Sequence, residues 1–414
     1  MFGSVVIEDS TRPDGVPIGT MNAHKFSLEA VGPNKASRKR RCPYCLLAIP
    51  FVFPIFTTTS ALSAEAAYGQ DLPDSLSAIR DTVAAASARG RPWEGPRHGP
   101  AGAFGKTIVI VTEDLRNGGI LGVARGVDEA AKELNWRVKV FDAEGTPAGR
   151  DKAAALALAA RPDGLIIIGA DADDMRSRLM PFADQRIPVV GWHVGPQPGV
   201  LEQGPITVNV TTDPLEVARV TAMAAVAAAD GEAGVVIFTD STFAIASAKA
   251  GAMAEIVTAC WGCSLLEVRD VPIAQCAERI PEITRTLLER YGKRWTLALA
   301  INDIYFDYMV PELTKSGIPN DRIRLLSAGD GSPAAFMRIL ARTYQIATAA
   351  EPLNLHGWQL VDELNRLLAR QPASGYVVPV HLVTFDNAAF DGGTQFRYDP
   401  ENDYREIYRH IWKP

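Results

Sequence analysis

The sequence predicts an α/β fold made of two doubly wound parallel-sheet lobes that are joined by hinge crossings. Short apolar runs alternate with helix-like segments from residue 107 to residue 384, at the spacing of successive βαβ units. The apolar runs are nearly continuous, which is typical of parallel strands covered on both faces. The pattern pauses near Gly231 and then begins again, which indicates a second lobe.

The first lobe is predicted to contain five strands. Residues 107–111, TIVIV, form the first strand, and residues 120–134 form the amphipathic helix that follows it. The other predicted strands are residues 137–141, 165–168, 188–192 and 206–210, and the other helices are residues 150–160, residues 173–185 and a helix that begins at Asp213.

The second lobe repeats the alternation. Its predicted strands are residues 234–238, 264–268, 297–301, 323–327 and 344–349, with helices over residues 244–258 and 279–290 and after Asp303. A helix over residues 357–369 and a last strand over residues 377–384 follow, and the tail to residue 414 shows no clear period. We therefore expect crossings near Val210–Thr211, Glu351–Pro352 and Thr384. Residues 105–210 and 352–383 would form the first lobe, and residues 211–351 and 384–414 the second.

The N-terminal 66 residues are predicted to be a leader and a cleaved signal peptide. Residues 35–41, KASRKRR, are basic, and residues 42–56, CPYCLLAIPFVFPIF, are apolar. Small residues follow, and residues 64–66 fit an A-x-A cleavage site, so the order is that of a secretory signal peptide. This pattern predicts export to the periplasm. Residues 67–104 would then form an N-terminal helix, over residues 72–88, and a Gly/Pro-rich linker.

The charge of the chain argues against nucleic acid and anionic membrane surfaces as partners. The net charge of −6 becomes more negative once the basic leader is removed. No nucleophile–base motif, zinc-binding motif or phosphate loop is present; Asn117-Gly-Gly resembles only part of a phosphate loop. The sequence therefore predicts no enzyme, no cofactor and no metal site.

Polar residues at the ends of predicted strands are the candidates for a binding site. In an open α/β sheet, ligands bind beyond the carboxyl ends of the strands. An ionised carboxylate accepts two hydroxyl hydrogen bonds, and an aromatic face covers the apolar side of a sugar ring, although the same set also suits a cation. Aspartates in these turns would equally serve as helix N-caps. The predicted ligand-binding residues are Asn117, Asp171, Trp192, Asp240, Phe243, Asn302, Asp303, Asp330 and Glu351.

Cys260-Trp-Gly-Cys263 follows the C-terminal end of a predicted helix. A redox C-x-x-C motif needs a helix N-terminus after its first cysteine to lower the thiol pKa, so this position favours a structural disulfide. Cys276 leaves the pairing open.

Four segments resemble the periplasmic sugar-binding proteins of ABC importers, of the ribose-binding type. They are the Asp-Gly strand at residues 163–168, the Asn-Asp turn at residues 300–303, the Asp-Gly turn at residues 329–331 and the hinge strand and helix at residues 347–358. The resemblance spans residues 106–384 and implies a type I periplasmic binding protein fold that closes on its ligand by hinge motion.

The sequence also departs from this family. Residues 113–119 contain none of the usual sugar-stacking aromatics, Trp192–His193 stands where Asp-Arg is common, and Glu351 replaces a frequent glutamine. An arginine usual on the first helix of the second lobe is missing between Phe243 and Lys249.

The resemblance implies a monomer that binds a small polar molecule, either a sugar, a polyol or a cationic solute, and delivers it to ABC permease subunits. The alternative is a periplasmic ligand sensor that docks to a receptor or kinase ectodomain. A transcriptional regulator of related fold would need an N-terminal helix-turn-helix motif, which residues 1–60 do not suggest.

Overall fold

The computed structural model describes residues 75–413, which belong to one compact unit, Gln70–Pro414. The predicted signal peptide and its cleavage site lie outside the described residues. The unit contains two six-stranded sheets flanked by helices, and this arrangement confirms the predicted α/β fold class.

The first sheet has the strand order β2-β1-β3-β4-β6-β5, in which only β5 pairs antiparallel. Its strands are β1 (Thr107–Thr112), β2 (Arg137–Asp142), β3 (Gly164–Ile168), β4 (Val189–Trp192), β5 (Gly199–Val200) and β6 (Val208–Val210). The helices of this first lobe are α2 (Gly118–Glu133), α3 (Pro147–Ala159), α4 (Ala172–Asp184), α10 (Leu353–Leu368) and α12 (Tyr404–Trp412).

Both faces of the first sheet are buried because successive side chains of a strand point to opposite sides. Ile108 and Ile110 of β1 pack with α2 and α10, whereas Val109 and Val111 pack with α3 and α4. This explains why the strands read as continuous apolar runs in the sequence.

The second sheet has the order β12-β11-β10-β9-β7-β8 and is parallel except for β12. Its strands are β7 (Glu232–Thr239), β8 (Gly262–Asp270), β9 (Leu297–Ala300), β10 (Arg324–Ser327), β11 (Gln345–Ala350) and β12 (His381–Thr384). The helices of this second lobe are α1 (Leu76–Ala86), α5 (Pro214–Ala228), α6 (Ala244–Ala259), α7 (Cys276–Tyr291), α8 (Ile304–Lys315), α9 (Pro333–Leu340) and α11 (Phe385–Gly392).

The course of the chain after α10 differs from the sequence-based division. β12 pairs antiparallel with β11, so it belongs to the second sheet and not to the first lobe. The crossings at Val210–Thr211 and at Glu351–Pro352 connect elements of different lobes. Thr384 does not, because β12 and α11 on either side of it both pack in the second lobe. The return to the second lobe lies earlier, between α10 and β12.

The C-terminal tail ends in a helix, α12, that was not predicted from the sequence. Tyr404, Tyr408 and Trp412 of α12 are buried against α10, where Trp358 stacks on Trp412 with the ring centroids 5.5 Å apart. This packing assigns α12 to the first lobe, whereas residues 384–414 were expected in the second. No helix within residues 75–413 is long and apolar enough to cross a membrane.

Cys260 and Cys263 are joined by a disulfide between the end of α6 and the start of β8, and Cys276 is buried as a free thiol. Because so short a loop restricts the unfolded chain little, we expect Cys260→Ser with Cys263→Ser to lower the free energy of unfolding by no more than about 2 kcal/mol. Urea unfolding of the variant, compared with the oxidised wild type, measures this loss. A variant of normal stability that had lost ligand binding would instead give the disulfide a functional role.

Candidate functional site

A cavity of about 290 Å³ lies between the two lobes, at the carboxyl ends of their parallel strands. We call it the interlobe cavity. Its apolar wall combines Ile120 and Trp192 of the first lobe with Phe243, Ile245 and Ile273 of the second. Its polar and charged lining residues are Glu113, Asp114, Asn117, Arg150, His193, Asp240, Thr242, Lys249, Gln275, Asn302 and Asp330.

Asp330 is a predicted carboxylate that lines this cavity. It follows β10 in the turn that leads into α9, and 3% of its surface is exposed. Asn302, at the end of the neighbouring strand β9, donates a hydrogen bond from Nδ2 to Asp330 Oδ2 at 2.7 Å. Two adjacent strand ends thus bring together two predicted residues 28 positions apart.

Asp303 supports the loop that carries Asp330 and does not line the cavity. Its carboxylate accepts hydrogen bonds at 2.9 and 3.0 Å from the backbone N–H groups of the two residues after Asp330. The side chain of Gln345 donates a further bond at 2.9 Å. Asp303 was expected to contact the ligand and is instead placed where it fixes the position of Asp330.

Glu351 also lies outside the cavity wall, at the centre of a buried charged network in the hinge. Its two carboxylate oxygens accept from His193 Nε2 at 2.8 and 2.9 Å. Lys249 Nζ is 3.8 Å from Glu351 Oε1 and donates at 2.8 Å to the carbonyl of Ala328. The network therefore connects the first lobe, through His193, with the second lobe, through Lys249.

The pKa values of these groups reflect burial and their neighbours. Burial opposes the ionisation of Glu351, but His193 and Lys249 outweigh this effect and lower the pKa of Glu351 to about 2. Burial raises the pKa of Asp330 to about 6, although His193 and Lys249 act in the opposite direction. Burial also lowers the pKa of His356 to about 4. At neutral pH, Glu351 is therefore ionised and His356 is neutral.

Trp192 lines the cavity at the end of β4, as the sequence suggested. Its ring stacks on that of His193 with the centroids 3.6 Å apart and the planes 9° from parallel. Its Nε1 donates to Nδ1 of the neutral His356 at 3.1 Å, so the indole is held from both sides. Phe243 approaches from the second lobe, where it precedes α6.

Three further predicted residues have their side chains held by nearby N–H groups. Asn117 caps α2 by accepting from Gly119 N–H at 2.9 Å, and Asp240 accepts from Ile273 N–H at 2.8 Å; both side chains line the cavity. Asp171 caps α4 and does not line the cavity. Its Oδ2 accepts from Ala244 N–H at 3.1 Å, which connects the two lobes.

Three charged residues that line the cavity were not predicted from the sequence: Lys249 and the ion pair of Glu113 and Arg150. Arg150 bonds both oxygens of Glu113, at 2.6 and 2.7 Å, and the pair lines the first-lobe wall. Glu113 follows β1 directly, so its position at a strand end was a usable signal. Lys249 was recognisable as the one basic residue of the alanine-rich helix α6, close to where the family arginine is missing.

The sequence matches a known protein family. The model described as "Periplasmic binding protein domain" matches residues 108–372, which is more than half of the chain. The chain belongs to the periplasmic binding protein family. This finding confirms the resemblance stated from the four sequence segments.

Solved structures share the fold at low sequence identity. An ABC sugar transporter subunit from Rhodobacter sphaeroides 2.4.1 is 20% identical, with 69% of this chain and 99% of that chain covered and a TM-score of 0.58. An ABC transporter solute-binding protein from Agrobacterium vitis, with bound allitol, is 19% identical. The alignment covers 68% of this chain and 96% of that chain, with a TM-score of 0.60.

A 5-methylthioribose transporter solute-binding protein from Thermotoga lettingae is 16% identical to this chain. The alignment covers 75% of this chain and 99% of that chain, with a TM-score of 0.63. No curated protein matches the sequence significantly. At these identities the structures show a common fold, that of the type I periplasmic binding proteins.

One group of side chains in this periplasmic binding protein has the composition of a metal site. Among the described residues, His193, Asp330 and Glu351 place one ligand-type atom each within 4.8 Å of one another. The ammonium group of Lys249 already supplies a positive charge 3.8 Å from Glu351. A divalent cation at this position would meet that charge, so the electrostatics disfavour a metal.

The lobes touch where α2 meets the Asp330 turn, and Gly119 makes this contact possible. A Cβ atom at Gly119 would lie 2.0 Å from Asp330 Oδ2, whereas one at Gly118 would meet only Ser332 Cβ, at 3.2 Å. We expect Gly119→Ala to hold the lobes apart and weaken ligand binding by about 5- to 150-fold, the equivalent of 1–3 kcal/mol of overpacking. Calorimetry with Gly118→Ala as the matched control measures this. Equal affinity of both variants and wild type would show that this contact does not limit closure.

Proposed function

We propose that the protein is an exported solute-binding protein that captures a small, polar, sugar-like molecule between its lobes and delivers it to an ABC-type importer. The observation that carries this proposal is the interlobe cavity, whose walls come from both lobes. A ligand that contacts both walls favours the closed arrangement, and hinge closure is the motion of such two-lobed proteins. The cavity volume is at the lower end for small-molecule sites, which suits a ligand of monosaccharide size.

The charges that line the cavity favour a neutral ligand over an anionic one. Glu113 is neutralised by Arg150, at 2.6 Å. Asp114 pairs with Arg116 at 2.6 Å, so Asp240 and Asp330 remain, with Lys249 as a further lining residue. The lining therefore has no surplus positive charge with which to bind a phosphate or a carboxylate group, and its carboxylates repel such groups.

The apolar part of the wall indicates a ligand that also presents C–H or alkyl surface. Trp192 and Phe243 offer aromatic surface from opposite lobes, and four isoleucines extend the apolar wall. Aromatic faces cover the C–H side of a polyol while carboxylates accept its hydroxyl protons. We therefore place linear polyols, cyclic polyols and pentose derivatives with an apolar substituent in the expected ligand class.

Calorimetric titration of the mature protein tests this proposal. The panel comprises allitol, myo-inositol, ribose and 5-methylthioribose, with ribose 5-phosphate and gluconate as anionic controls. We expect saturable binding of at least one neutral member and none of the anionic controls. Binding of the anions alone would contradict the proposed ligand class, and no binding of any member would contradict the sugar-like class as a whole.

Export is a separate part of the proposal and rests on the basic, apolar and small-residue order of the N-terminus. We expect the mature protein to begin between Ala64 and Ala67. N-terminal sequencing of protein from the periplasmic fraction measures this directly. Protein that still begins at Met1 or Met21 would show that the segment is not a cleaved signal peptide.

A further inference from the structure

A second cavity, of about 340 Å³, lies among the segments that cross between the lobes, and it shares no lining residue with the interlobe cavity. Leu353 and Asn354 of the first-lobe helix α10 form one wall, and His381 of β12 and Phe390 of α11 form another from the second lobe. We call it the arginine cavity because four arginines line it: Arg89, Arg91, Arg397 and Arg405.

Within the described part of the chain, only Arg405 of these four arginines forms salt bridges with carboxylates. Arg91 acts on Glu216 at longer range, where it lowers the pKa of that carboxyl against the effect of burial. Arg89 donates to the carbonyl of Asp386 at 2.8 Å, and Arg91 donates to the carbonyl of Ala85 at 2.8 Å. Arg397 donates to the side-chain oxygen of a neighbouring glutamine. The acceptor of each of these three arginines is therefore a neutral oxygen. Because a guanidinium carries five N–H donors, each of the three keeps donors for another partner.

Among the described residues, the carboxylates that line the arginine cavity form no salt bridge with these three arginines. Glu129 and Asp399 are bonded by Arg405 at 2.7 and 2.6 Å. Asp391 accepts from His381 Nε2 at 2.8 Å. The fourth carboxylate, Glu401, is exposed. The four lining arginines equal the four lining carboxylates in number, and Arg405 serves two of those carboxylates. Arg89, which also stacks over the ring of Phe390 at 4.8 Å, Arg91 and Arg397 keep guanidinium donors for a ligand.

His381 adds a second, independent feature. Only 2% of its surface is exposed, and its ring stacks on Tyr398 with the centroids 4.2 Å apart. With Nε2 held by Asp391, its Nδ1 is buried and has no hydrogen-bond partner among the described residues. A buried polar atom without a partner costs free energy, and a ligand or water in the adjoining cavity is the usual means of satisfying it.

We propose that the arginine cavity binds a small oxyanion of the phosphate or carboxylate class. The planar fork of a guanidinium matches such groups with paired, charge-assisted hydrogen bonds. The site shares no lining residue with the interlobe cavity, where four carboxylates face only one arginine and one lysine. Because residues of both lobes line it, an anion here contacts the elements that must move relative to each other when the hinge closes.

Phosphate titration of the mature protein tests this inference, with ionic strength held constant by chloride. We expect saturable calorimetric binding of inorganic phosphate and a rise of the melting temperature. Arg91→Gln and Arg397→Gln should each weaken phosphate binding at least about tenfold, since a hydrogen bond to a charged group contributes about 1.5–3 kcal/mol. Arg137→Gln is the matched control, because Arg137 is exposed on β2 and lines neither cavity.

The same oxyanion could belong to a free solute or to a lipid headgroup, and vesicle sedimentation distinguishes these sources. Saturable phosphate binding without sedimentation on phosphatidylglycerol vesicles identifies a free anion. Sedimentation that Arg91→Gln and Arg397→Gln abolish identifies a headgroup. Absence of both, or phosphate binding of equal strength in these variants and in Arg137→Gln, would overturn the proposal. Measuring Arg397→Gln separately guards against a folding defect in Arg91→Gln, and the outcome does not depend on which solute the interlobe cavity binds.

Discussion

Replacing Glu351 by alanine is expected to lower the free energy of unfolding by about 3–5 kcal/mol, because it leaves the buried side chains of His193 and Lys249 without their carboxylate partner. His193 Nε2 would lose both of its bonds to Glu351, and Lys249 would lose the anion 3.8 Å away. All three side chains are buried, so water cannot readily replace the lost partner. Urea unfolding of the mature protein at pH 7 measures the loss.

The pH dependence of this loss has a definite sign. The pKa of Glu351 is lowered in the folded protein, to about 2. Its stabilising contribution is therefore fully present above the unfolded-state value near 4.5 and decreases as the pH falls towards 2. The difference between wild type and Glu351→Ala should shrink over the same range. Glu278→Gln, at an exposed position on α7, is the control and should change stability by no more than about 0.5 kcal/mol. A stability loss equally small in Glu351→Ala would show that the hinge network is not stabilising.

Replacing Asp330 by alanine is expected to weaken ligand binding by about 30- to 150-fold, the equivalent of 2–3 kcal/mol. The variant removes a carboxylate that faces the interlobe cavity and leaves Asn302 Nδ2 without its acceptor. The fold should survive, because Asp303 holds the turn through backbone N–H groups that the substitution does not touch. Calorimetry with the strongest binder of the polyol panel measures the change.

Two variants make the Asp330 result interpretable. Asp321→Ala removes an exposed carboxylate of the same lobe and should bind like wild type. Asp330→Asn keeps the size of the side chain and an acceptor for Asn302, so it should lose less affinity than Asp330→Ala. Wild-type affinity in a stable Asp330→Ala protein would show that this carboxylate does not contact the ligand.

The sheet of the first lobe could be predicted from the sequence because each strand is buried on both faces. Residues 165–168, for example, are an uninterrupted apolar run, and all of them are fully buried in β3. The strand over 377–384 was misplaced because its partner is not encoded locally. Only the three-dimensional course after α10 brings β12 beside β11, in antiparallel register.

The missed C-terminal helix had a signal in the sequence. Tyr404, Tyr408, Ile411 and Trp412 are spaced along one helical face, and all four are buried. The surrounding charges and prolines obscured this period. By contrast, nothing local distinguishes Asp303 from Asp330, since both follow a buried strand. Their roles differ because of the backbone course of the turn after β10. This course directs Asp330 into the cavity and brings the backbone N–H groups of the turn to the carboxylate of Asp303.

The charged network of the hinge could not be assembled from the sequence. Glu351 lies 158 residues from His193 and 102 residues from Lys249, and no spacing rule connects them. The sequence did indicate that an expected arginine is missing from the start of the second lobe. The structure supplies a cation near that region from Lys249, one helical turn further along α6.

A crystal structure of the mature protein with the strongest binder of the polyol panel tests the central claim most directly. We predict that the ligand lies in the interlobe cavity, between Trp192 and Phe243, with a hydroxyl group within hydrogen-bond distance of Asp330. Ligand bound elsewhere on the protein, with the interlobe cavity free of it, would contradict the account.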